Sequence, residues 1–188
     1  MNFIKQFLLH PTEVGSLIPS SKTLSKSIVN IPNLKTKKCV VELGTGNGVV
    51  TQEIIKNLHS KTRFFGIEIN KKFVEETKKN CPGTNIYHGS AINLKKYLKK
   101  NNFEYSDCII SELPWGAFNN HLQDELLEAI YNSLDKNGDF ITISFAQSIL
   151  FSPSKRFSQL IKKKFDKVEK TPIIWKNFPP AFIYHCIK

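Results

Sequence analysis

Three glycines at alternate positions follow an acid in the stretch Glu42-Leu43-Gly44-Thr45-Gly46-Asn47-Gly48. Apolar residues precede this stretch and helix-compatible sequence resumes at Thr51, so the pattern predicts a strand, a glycine turn and a helix. Glycine permits positive φ and places no side chain between the backbone and a ligand. The N–H groups of the turn and the helix N-terminus can therefore approach a nucleotide closely. The stretch predicts a binding site for a nucleoside cofactor, and the alternative is a tight turn without a ligand.

The spacing of the glycines indicates which cofactor. A dinucleotide-binding turn follows G-x-G-x-x-G and holds a pyrophosphate at the helix N-terminus. Here Val49 stands where that pattern needs its third glycine, and Glu42 would repel a pyrophosphate but attract a cationic ligand tail. The arrangement resembles the first motif of class I S-adenosylmethionine-dependent methyltransferases. The cofactor of those enzymes carries an amino acid and a sulfonium instead of phosphates.

Two further segments complete the predicted cofactor site. Glu68 lies 20 residues after Gly48, at the end of the next predicted strand, where an acid can accept hydrogen bonds from both ribose hydroxyls. Ile69 follows it, and the loop after the third strand reads Gly89-Ser90-Ala91. The predicted cofactor-binding residues are Glu42, Gly44, Thr45, Gly46, Gly48, Glu68, Ile69, Ser90 and Ala91.

The loop after the fourth predicted strand, Ser111-Glu112-Leu113-Pro114-Trp115, supplies candidates for chemistry. By connectivity it lies beside the glycine turn, where it would face the reactive atom of a cofactor. An amine must lose a proton before it can attack a sulfonium carbon, and Glu112 is the nearest acid that can take this proton. The predicted catalytic residues are Glu112, Leu113, Trp115 and Tyr87, with His88 and His121 as weaker candidates.

Aromatic residues near this loop could bind a methylated amine, which keeps its charge but loses hydrogen-bond donors. Trp115 and Phe118, together with Trp175 and Phe178 from the tail, are candidates for an aromatic cage. The alternative for each ring is packing in the hydrophobic core.

The elements that must position these residues alternate along the chain. Predicted helices cover 51–58, 71–80, 92–100, 122–134 and 155–165, and a turn is predicted at 136–138. Predicted strands end at the glycine turn and cover 62–69, 85–87, 105–111, 140–145, 167–175 and 182–187. This alternation predicts an α/β fold with a doubly wound, seven-stranded Rossmann-like sheet that binds ligands at the carboxyl ends of its strands. We expect an N-terminal helical extension over 1–37 and a catalytic domain over 38–188.

Composition points to a polyanionic partner. The chain of 188 residues carries a net charge of +11, which suits nucleic acid or anionic lipid, although lysine-rich surfaces also serve solubility alone. Its four cysteines form no C-x-x-C pair and no histidine lies at ligand spacing, so we predict no metal site. Without an apolar run of about 18 residues or a secretory signal, we expect a cytoplasmic protein that can bind a membrane surface.

The first nine residues predict a short amphipathic helix. Phe3, Ile4, Phe7 and Leu8 share one helical face. Such a helix can lie in a lipid interface or pack on the core of the domain, and the sequence leaves both alternatives open.

The chain as a whole resembles the soluble bacterial phospholipid N-methyltransferases, which methylate phosphatidylethanolamine and related aminolipids. The resemblance rests on the glycine motif, Glu68, Leu113-Pro114-Trp115, and two more specific segments, Leu17-Ile18-Pro19-Ser20-Ser21-Lys22-x-Leu24 and Asn177-Phe178-Pro179-Pro180-Ala181-Phe182-Ile183-Tyr184. It implies that Glu42, Gly44, Gly46 and Glu68 bind S-adenosylmethionine and that the N-terminal helix contacts an anionic membrane. Where such methyltransferases usually carry an Asp that accepts a bond from the adenine amino group, this chain has Ser90, an uncharged and weaker acceptor.

Two other functions remain as alternatives. An adenine N6-methyltransferase acting on ribosomal RNA has a similar first motif, but its loop begins with Asn where this chain has Glu112. The acid suits an aliphatic ammonium better than an adenine amino group. Other small amines are further candidate substrates. A non-catalytic lipid-binding module is the third alternative, although it would have no use for Glu42 and Glu68.

Overall fold

The computed structural model describes residues 20–188, and these residues form a sheet of seven strands. The strand order is β3-β2-β1-β4-β5-β7-β6, with β7 antiparallel to both of its neighbours and β1 to β5 parallel. The strands are β1 Cys39–Leu43, β2 Arg63–Glu68, β3 Ile86–His88, β4 Ser106–Ser111, β5 Leu134–Phe145, β6 Lys167–Lys170 and β7 Ala181–Ile187.

Six α-helices connect or flank these strands in the described part of the chain. They are α1 Lys22–Asn30, α2 Val49–Asn57, α3 Lys71–Asn80, α4 Leu94–Lys100, α5 Asn120–Ser133 and α6 Ser152–Lys164. Side-chain caps set several of the starting points. Ser21 accepts the Leu24 N–H at 3.2 Å and Asn119 accepts the Leu122 N–H at 2.9 Å, which satisfies donors that a helix leaves without a partner.

Side chains from both faces of the sheet are buried. Along β1, Val41 and Leu43 join one hydrophobic cluster, to which α4, α5 and α6 contribute. Val40 joins a second cluster, to which α1 and α2 contribute. All five residues of β1 are buried, as expected for a central parallel strand covered on both faces.

The order of the strands determines where the site can form. β1 lies between β2 and β4, and the strand order reverses between β1 and β4. Ligands of doubly wound sheets bind at this reversal, at the edge where the parallel strands end. We call this the carboxyl edge. The glycine turn, Glu68 and the loop that begins at Glu112 all follow strands that end there.

The predicted doubly wound α/β fold and the order of its elements are confirmed, and two local predictions were wrong. The strand predicted over 167–175 ends at Lys170, and beyond it Ile174 makes only an isolated bridge to Ala181. The turn predicted at 136–138 lies inside β5, where the β4–β5 register shifts and Asn137 adopts a φ of 59°. Because of this irregularity, residues 136–138, whose types are typical of a turn, are part of one long strand.

Two predictions concern the N-terminal region. The helix predicted over 1–9 lies outside the described residues, and so do Leu17, Ile18 and Pro19. The boundary predicted between 37 and 38 stays a prediction. Between residues 20 and 188, no helix has the length and apolar character needed to cross a membrane.

Candidate active site

The glycine turn between β1 and α2 allows other groups to come close to its backbone on two sides. Gly46 has a φ of 51°, and a Cβ at this position would meet nothing within 4 Å, so the space in front of the turn is open. Gly48 has a φ of 88°, and its Cβ would lie 3.2 Å from Thr77 Cγ2 and 3.3 Å from Cys81 Sγ. The turn thus packs directly on α3 behind and leaves room for a ligand in front.

Glu68 fixes the turn from the end of β2. One of its carboxylate oxygens accepts the Gly46 N–H at 3.1 Å and the other accepts the Asn70 N–H at 2.8 Å. Burial raises the pKa of Glu68, and these backbone hydrogen bonds oppose the rise. Each carboxylate oxygen can accept a further hydrogen bond, so the residue fits the role of binding ribose hydroxyls.

Glu42 has one carboxylate oxygen with no hydrogen-bond partner among residues 20–188. The residue is fully buried on β1 and one of its oxygens accepts the Thr51 hydroxyl at 2.6 Å. The other oxygen accepts no hydrogen bond in the described structure. Burial raises the pKa of Glu42 well above its ordinary value, and the neighbouring Glu112 carboxylate raises it further. An unsatisfied buried acceptor of this kind is suited to a cationic or N–H-bearing ligand.

Glu112 lies beside the glycine turn, as connectivity predicts. Its N–H donates to the Leu43 carbonyl at 2.9 Å, and a Cβ at Gly44 would lie 3.3 Å from Leu113 Cδ2. The Ser20 hydroxyl donates to the Glu112 carboxylate at 2.7 Å. Burial raises the pKa of Glu112 to about 7, opposed by Ser20 and reinforced by Glu68. At neutral pH the group can therefore both accept and release a proton.

The three acids together produce a negative site. Glu112 and Glu68 both raise the pKa of Glu42, and Glu68 raises the pKa of Glu112. None of the three acids forms an ion pair within residues 20–188. Buried carboxylates without cations are unfavourable unless a ligand supplies the charge. S-Adenosylmethionine carries a sulfonium and an ammonium, so the orphaned Glu42 oxygen, the open space at Gly46 and the charge of the acids all fit this cofactor.

The other residues predicted to bind the cofactor, Ile69, Ser90 and Ala91, follow strands that end at the same edge. Ile69 follows Glu68 and is 48 % exposed, which leaves an apolar face for a flat ring. The Ser90 hydroxyl accepts the Ile92 N–H at 3.3 Å and caps a short 3-10 helix in which Ala91 is buried. Ser90 therefore keeps only part of its hydrogen-bonding capacity for a ligand.

The side chain of Thr45 points away from the open space. Its hydroxyl lies 3.1 Å from the Thr77 hydroxyl on α3, and its methyl group fills the space where a Cβ at Gly66 would clash at 2.4 Å. Only the backbone of Thr45 can contribute to ligand binding, so its role is to fix the turn against α3.

Tyr87, which was predicted to take part in catalysis, has its described hydrogen-bond partners away from the Glu112 loop, and its catalytic role stays a prediction. Its hydroxyl lies 3.1 Å from Asn101 Nδ2 and 3.3 Å from Asn85 Nδ2. Asn85 precedes β3 and Asn101 follows α4, so this hydroxyl is directed toward the edge where the strands begin. Of the weaker candidates, His88 contacts the Ile69 carbonyl at 3.1 Å, and His121 lies 3.2 Å from Glu125 on the exposed face of α5.

The aromatic cage is also not formed by the described residues. Trp115 is 3 % exposed, stacks on Phe157 at 4.2 Å and donates its indole N–H to the Thr142 hydroxyl at 3.0 Å. Phe118 packs against Trp115 in the same cluster. Trp175 and Phe178 are instead strongly exposed. Trp115 therefore has a structural role, because its side chain packs in the core and anchors the loop that begins at Glu112.

Ser20 and Asn177 also belong to the site, although neither was predicted as a site residue. Ser20 reaches Glu112, and the side-chain carbonyl of Asn177 accepts the Ser21 N–H at 2.9 Å. Asn177 also donates to the Pro179 carbonyl at 2.7 Å. The two family-specific segments at either end of the chain thus meet beside Glu112. These two segments are specific to the family that the chain resembles, and this specificity is the sequence signal that indicates their place at the site.

Comparison with known proteins agrees with this geometry. The family described as "Methyltransferase domain" matches residues 34–184. The chain belongs to this family. It is an S-adenosylmethionine-dependent methyltransferase of class I, and the predicted enzyme class and cofactor are confirmed.

Relatives of the methyltransferase include an ornithine lipid N-methyltransferase of Singulisphaera acidiphila. The two are 29 % identical over 98 % of this chain and 93 % of the relative. Solved structures with this fold include an O-methyltransferase from Bacillus cereus in complex with SAH, with a TM-score of 0.72 and 16 % identity over 100 % of this chain and 90 % of that one. Fibrillarin from Methanococcus jannaschii, a pre-rRNA processing protein, has a TM-score of 0.67 and 17 % identity over 89 % of this chain and 74 % of that one.

Proposed function

We propose that the methyltransferase transfers methyl groups to the amine of a membrane aminolipid, with phosphatidylethanolamine as the first candidate. The observation that carries the proposal is the Glu112 carboxylate, which lies against the glycine turn with a pKa of about 7. An aliphatic ammonium needs a base of this strength within the site, whereas an adenine amino group does not. The ornithine lipid N-methyltransferase also acts on an amine of a lipid.

In the proposed reaction, bound S-adenosylmethionine supplies a methyl group on a sulfonium. Glu68 holds the ribose hydroxyls and Glu42 attracts the cationic part of the cofactor from beneath the turn. Glu112 takes the proton of the substrate ammonium, which frees the lone pair for attack. The Ser20 hydroxyl, 2.7 Å away, holds the carboxylate in place. The chain otherwise aligns the two reactants and excludes water.

The remaining predictions on organisation belong to the same proposal. A lipid substrate requires the enzyme to work at a bilayer, so we propose a peripheral position on the cytoplasmic side of the inner membrane. The extension over 1–37, with its amphipathic first nine residues, would contribute to this contact. The net charge of +11 supports an anionic surface as the partner.

The test is methyl transfer from radiolabelled S-adenosylmethionine. The purified enzyme receives phosphatidylethanolamine, an ornithine lipid or ribosomal RNA in separate reactions, with both lipids dispersed in uncharged detergent micelles. We expect label in one or both lipids and loss of that label in Glu112→Gln, with cofactor binding retained. Label in RNA alone would overturn the proposal and identify the adenine N6 alternative. Absence of both cofactor binding and methyl transfer would favour the lipid-binding module.

A further inference from the structure

A basic cleft lies along α6, apart from the cofactor site. It has a volume of about 380 Å³ and runs between α6 and the strands β6 and β7. Its wall carries three lysines, Lys155, Lys162 and Lys170, together with the hydroxyl-bearing residues Ser158 and Tyr184. The cleft thus combines positive charge with hydroxyl donors, which is the composition that binds phosphate groups.

The positive charge of the cleft is not compensated. No acidic residue lines the cleft, and its three lysines form no ion pair within residues 20–188. Lys155 and Lys162 are seven residues apart on α6 and so share one helical face. Lys170 comes from β6, with its Nζ 3.8 Å above the centre of the Phe182 ring. Lysines from two elements therefore face one space, where their repulsion favours the binding of an anion.

Two hydroxyl groups of the wall lie side by side. The Tyr184 hydroxyl on β7 contacts the Ser158 hydroxyl on α6 at 3.2 Å, and both residues line the cleft. Hydroxyl groups can donate hydrogen bonds to the oxygens of a phosphate. Ser154 also borders the cleft, but its hydroxyl is buried against Gly116, where a Cβ would lie 2.5 Å from the Ser154 oxygen. Ser158 and Tyr184 are therefore the hydroxyl groups that can meet an anion in the cleft.

Exposed apolar side chains lie beside the cleft at the carboxyl edge. Ile149 lines the cleft, and the next two residues, Leu150 and Phe151, are 77 % and 59 % exposed. On the neighbouring loop Trp175 and Phe178 are 74 % and 77 % exposed. A backbone hydrogen bond of 2.8 Å from Ala146 to Pro180 joins the two segments. These four are the large apolar residues of 20–188 that are more than half exposed, and we call them the apolar rim.

We propose that the cleft binds the phosphate of an anionic membrane lipid while the apolar rim enters the interfacial layer of the bilayer. Apolar and aromatic side chains beside lysines have the composition of a membrane-binding surface, since lysines meet anionic headgroups and aromatic rings lie at headgroup level. The rim lies at the carboxyl edge, where Glu112 is found, so this docking would present the active site to the bilayer. The inference rests on the proposed function for its choice of a bilayer, but binding at the cleft requires no methyl transfer.

Vesicle binding by the full chain tests the proposal. Vesicles of phosphatidylcholine alone are compared with vesicles that contain phosphatidylglycerol, in the absence of cofactor. The variant Lys155→Ala/Lys162→Ala/Lys170→Ala removes the charge of the cleft, and Lys71→Ala/Lys78→Ala/Lys79→Ala removes the same charge from the exposed face of α3. We expect the cleft variant to lose at least about tenfold in affinity for the anionic vesicles, and the α3 variant to lose about threefold at most. Equal losses in the two variants would overturn the proposal, because they would reflect net charge alone.

Two further measurements separate the alternatives. Glycerol 3-phosphate should compete with anionic vesicles for the wild-type protein but not change the residual binding of the cleft variant. If glycerol 3-phosphate binds the cleft while anionic vesicles do not bind at all, the ligand is a soluble phosphate and the membrane proposal is wrong. Methyl transfer to an aminolipid in uncharged detergent micelles should be unchanged in the cleft variant. Failure of that transfer in wild-type protein that still binds anionic vesicles would overturn the proposed function and leave the cleft in place.

Discussion

The hydroxyl of Ser20 donates a 2.7 Å hydrogen bond to the carboxylate of Glu112, although the two residues are 92 positions apart. The backbone N–H of the neighbouring Ser21 donates a 2.9 Å hydrogen bond to the side-chain oxygen of Asn177. The beginning of the described chain, the loop after β4 and the loop before β7 are thereby held together at the carboxyl edge. The Ser20 hydroxyl stabilises the charged form of a carboxylate that burial makes unfavourable.

Glu112→Gln should stabilise the protein in the absence of cofactor while abolishing methyl transfer. Burial raises the pKa of Glu112 from 4.5 to about 7 in the folded state, so its ionisation opposes folding, and this effect grows as pH rises from about 5 to above 7. Gln has the same shape and still accepts the Ser20 hydroxyl. We expect the free energy of unfolding to increase by about 2 kcal/mol at pH 8 and to change little at pH 5, as measured by urea denaturation.

Glu75→Gln, on the exposed face of α3, is the matched control and should leave stability unchanged at both pH values. A decrease in stability at pH 8 for Glu112→Gln would contradict the raised pKa. It would indicate instead that the carboxylate is stabilised by a cation.

Gly46→Ala should lose cofactor affinity by at least about tenfold with only a small loss of stability. Gly46 has a positive φ, and its added methyl group would project into open space that we assign to the cofactor. Gly83 is a matched control because it also has a positive φ, of 77°, and open space around its Cβ position. Both variants should lose about 1 kcal/mol of stability through backbone strain.

Isothermal titration calorimetry with S-adenosylmethionine distinguishes the two glycine variants. Gly83→Ala should bind the cofactor as the wild type does. If both variants bind equally well, the space in front of Gly46 is not part of the cofactor site.

Connectivity was sufficient to predict the backbone of the site but not the direction of its side chains. Glu68 and Glu112 could be placed at the carboxyl edge because residues that follow parallel strands meet there. The Tyr87 hydroxyl instead lies 3.1 Å from Asn101, a residue that follows α4, and the position of Tyr87 on β3 does not predict this contact. The contact between Ser20 and Glu112 joins segments far apart in sequence, and no local pattern encodes such a pairing.

Trp115→Ala should destabilise the fold, whereas Trp175→Ala should not. The Trp115 ring is stacked on Phe157 and its N–H donates to the Thr142 hydroxyl, so its removal leaves a cavity and takes away one of the two hydrogen bonds of that hydroxyl. We expect a loss of about 3 to 5 kcal/mol in the free energy of unfolding. Trp175 is largely exposed, so its replacement should change stability by less than about 0.5 kcal/mol and weaken vesicle binding instead. If the Trp115→Ala variant had normal stability and a raised KM for lipid, this result would support the hypothesis that Trp115 belongs to an aromatic cage.

Asp139 should stabilise the fold with a pH dependence opposite to that of Glu112. It lies at the start of the register that β5 shares with β7 and pairs with both Lys37 and His185, the latter at 2.6 Å. Burial alone would raise the pKa of Asp139, but the hydrogen bonds from His185 and Lys37 outweigh it and lower the pKa below its ordinary value of 3.8. The stabilisation is therefore fully present above about pH 4 and is lost as pH falls through the lower, folded-state pKa.

Asp139→Asn should reduce the free energy of unfolding by about 2 kcal/mol at pH 7, because Lys37 loses its anion and His185 keeps only its longer, 3.7 Å contact with Glu169. Urea denaturation at pH 7 and again near pH 3 measures the effect, and the difference from wild type should shrink at the lower pH. The matched control is Asp166→Asn, which removes an exposed carboxylate that forms no ion pair within residues 20–188. Equal destabilisation at both pH values would show that Asp139 acts through its shape and hydrogen bonds alone, and not through its charge.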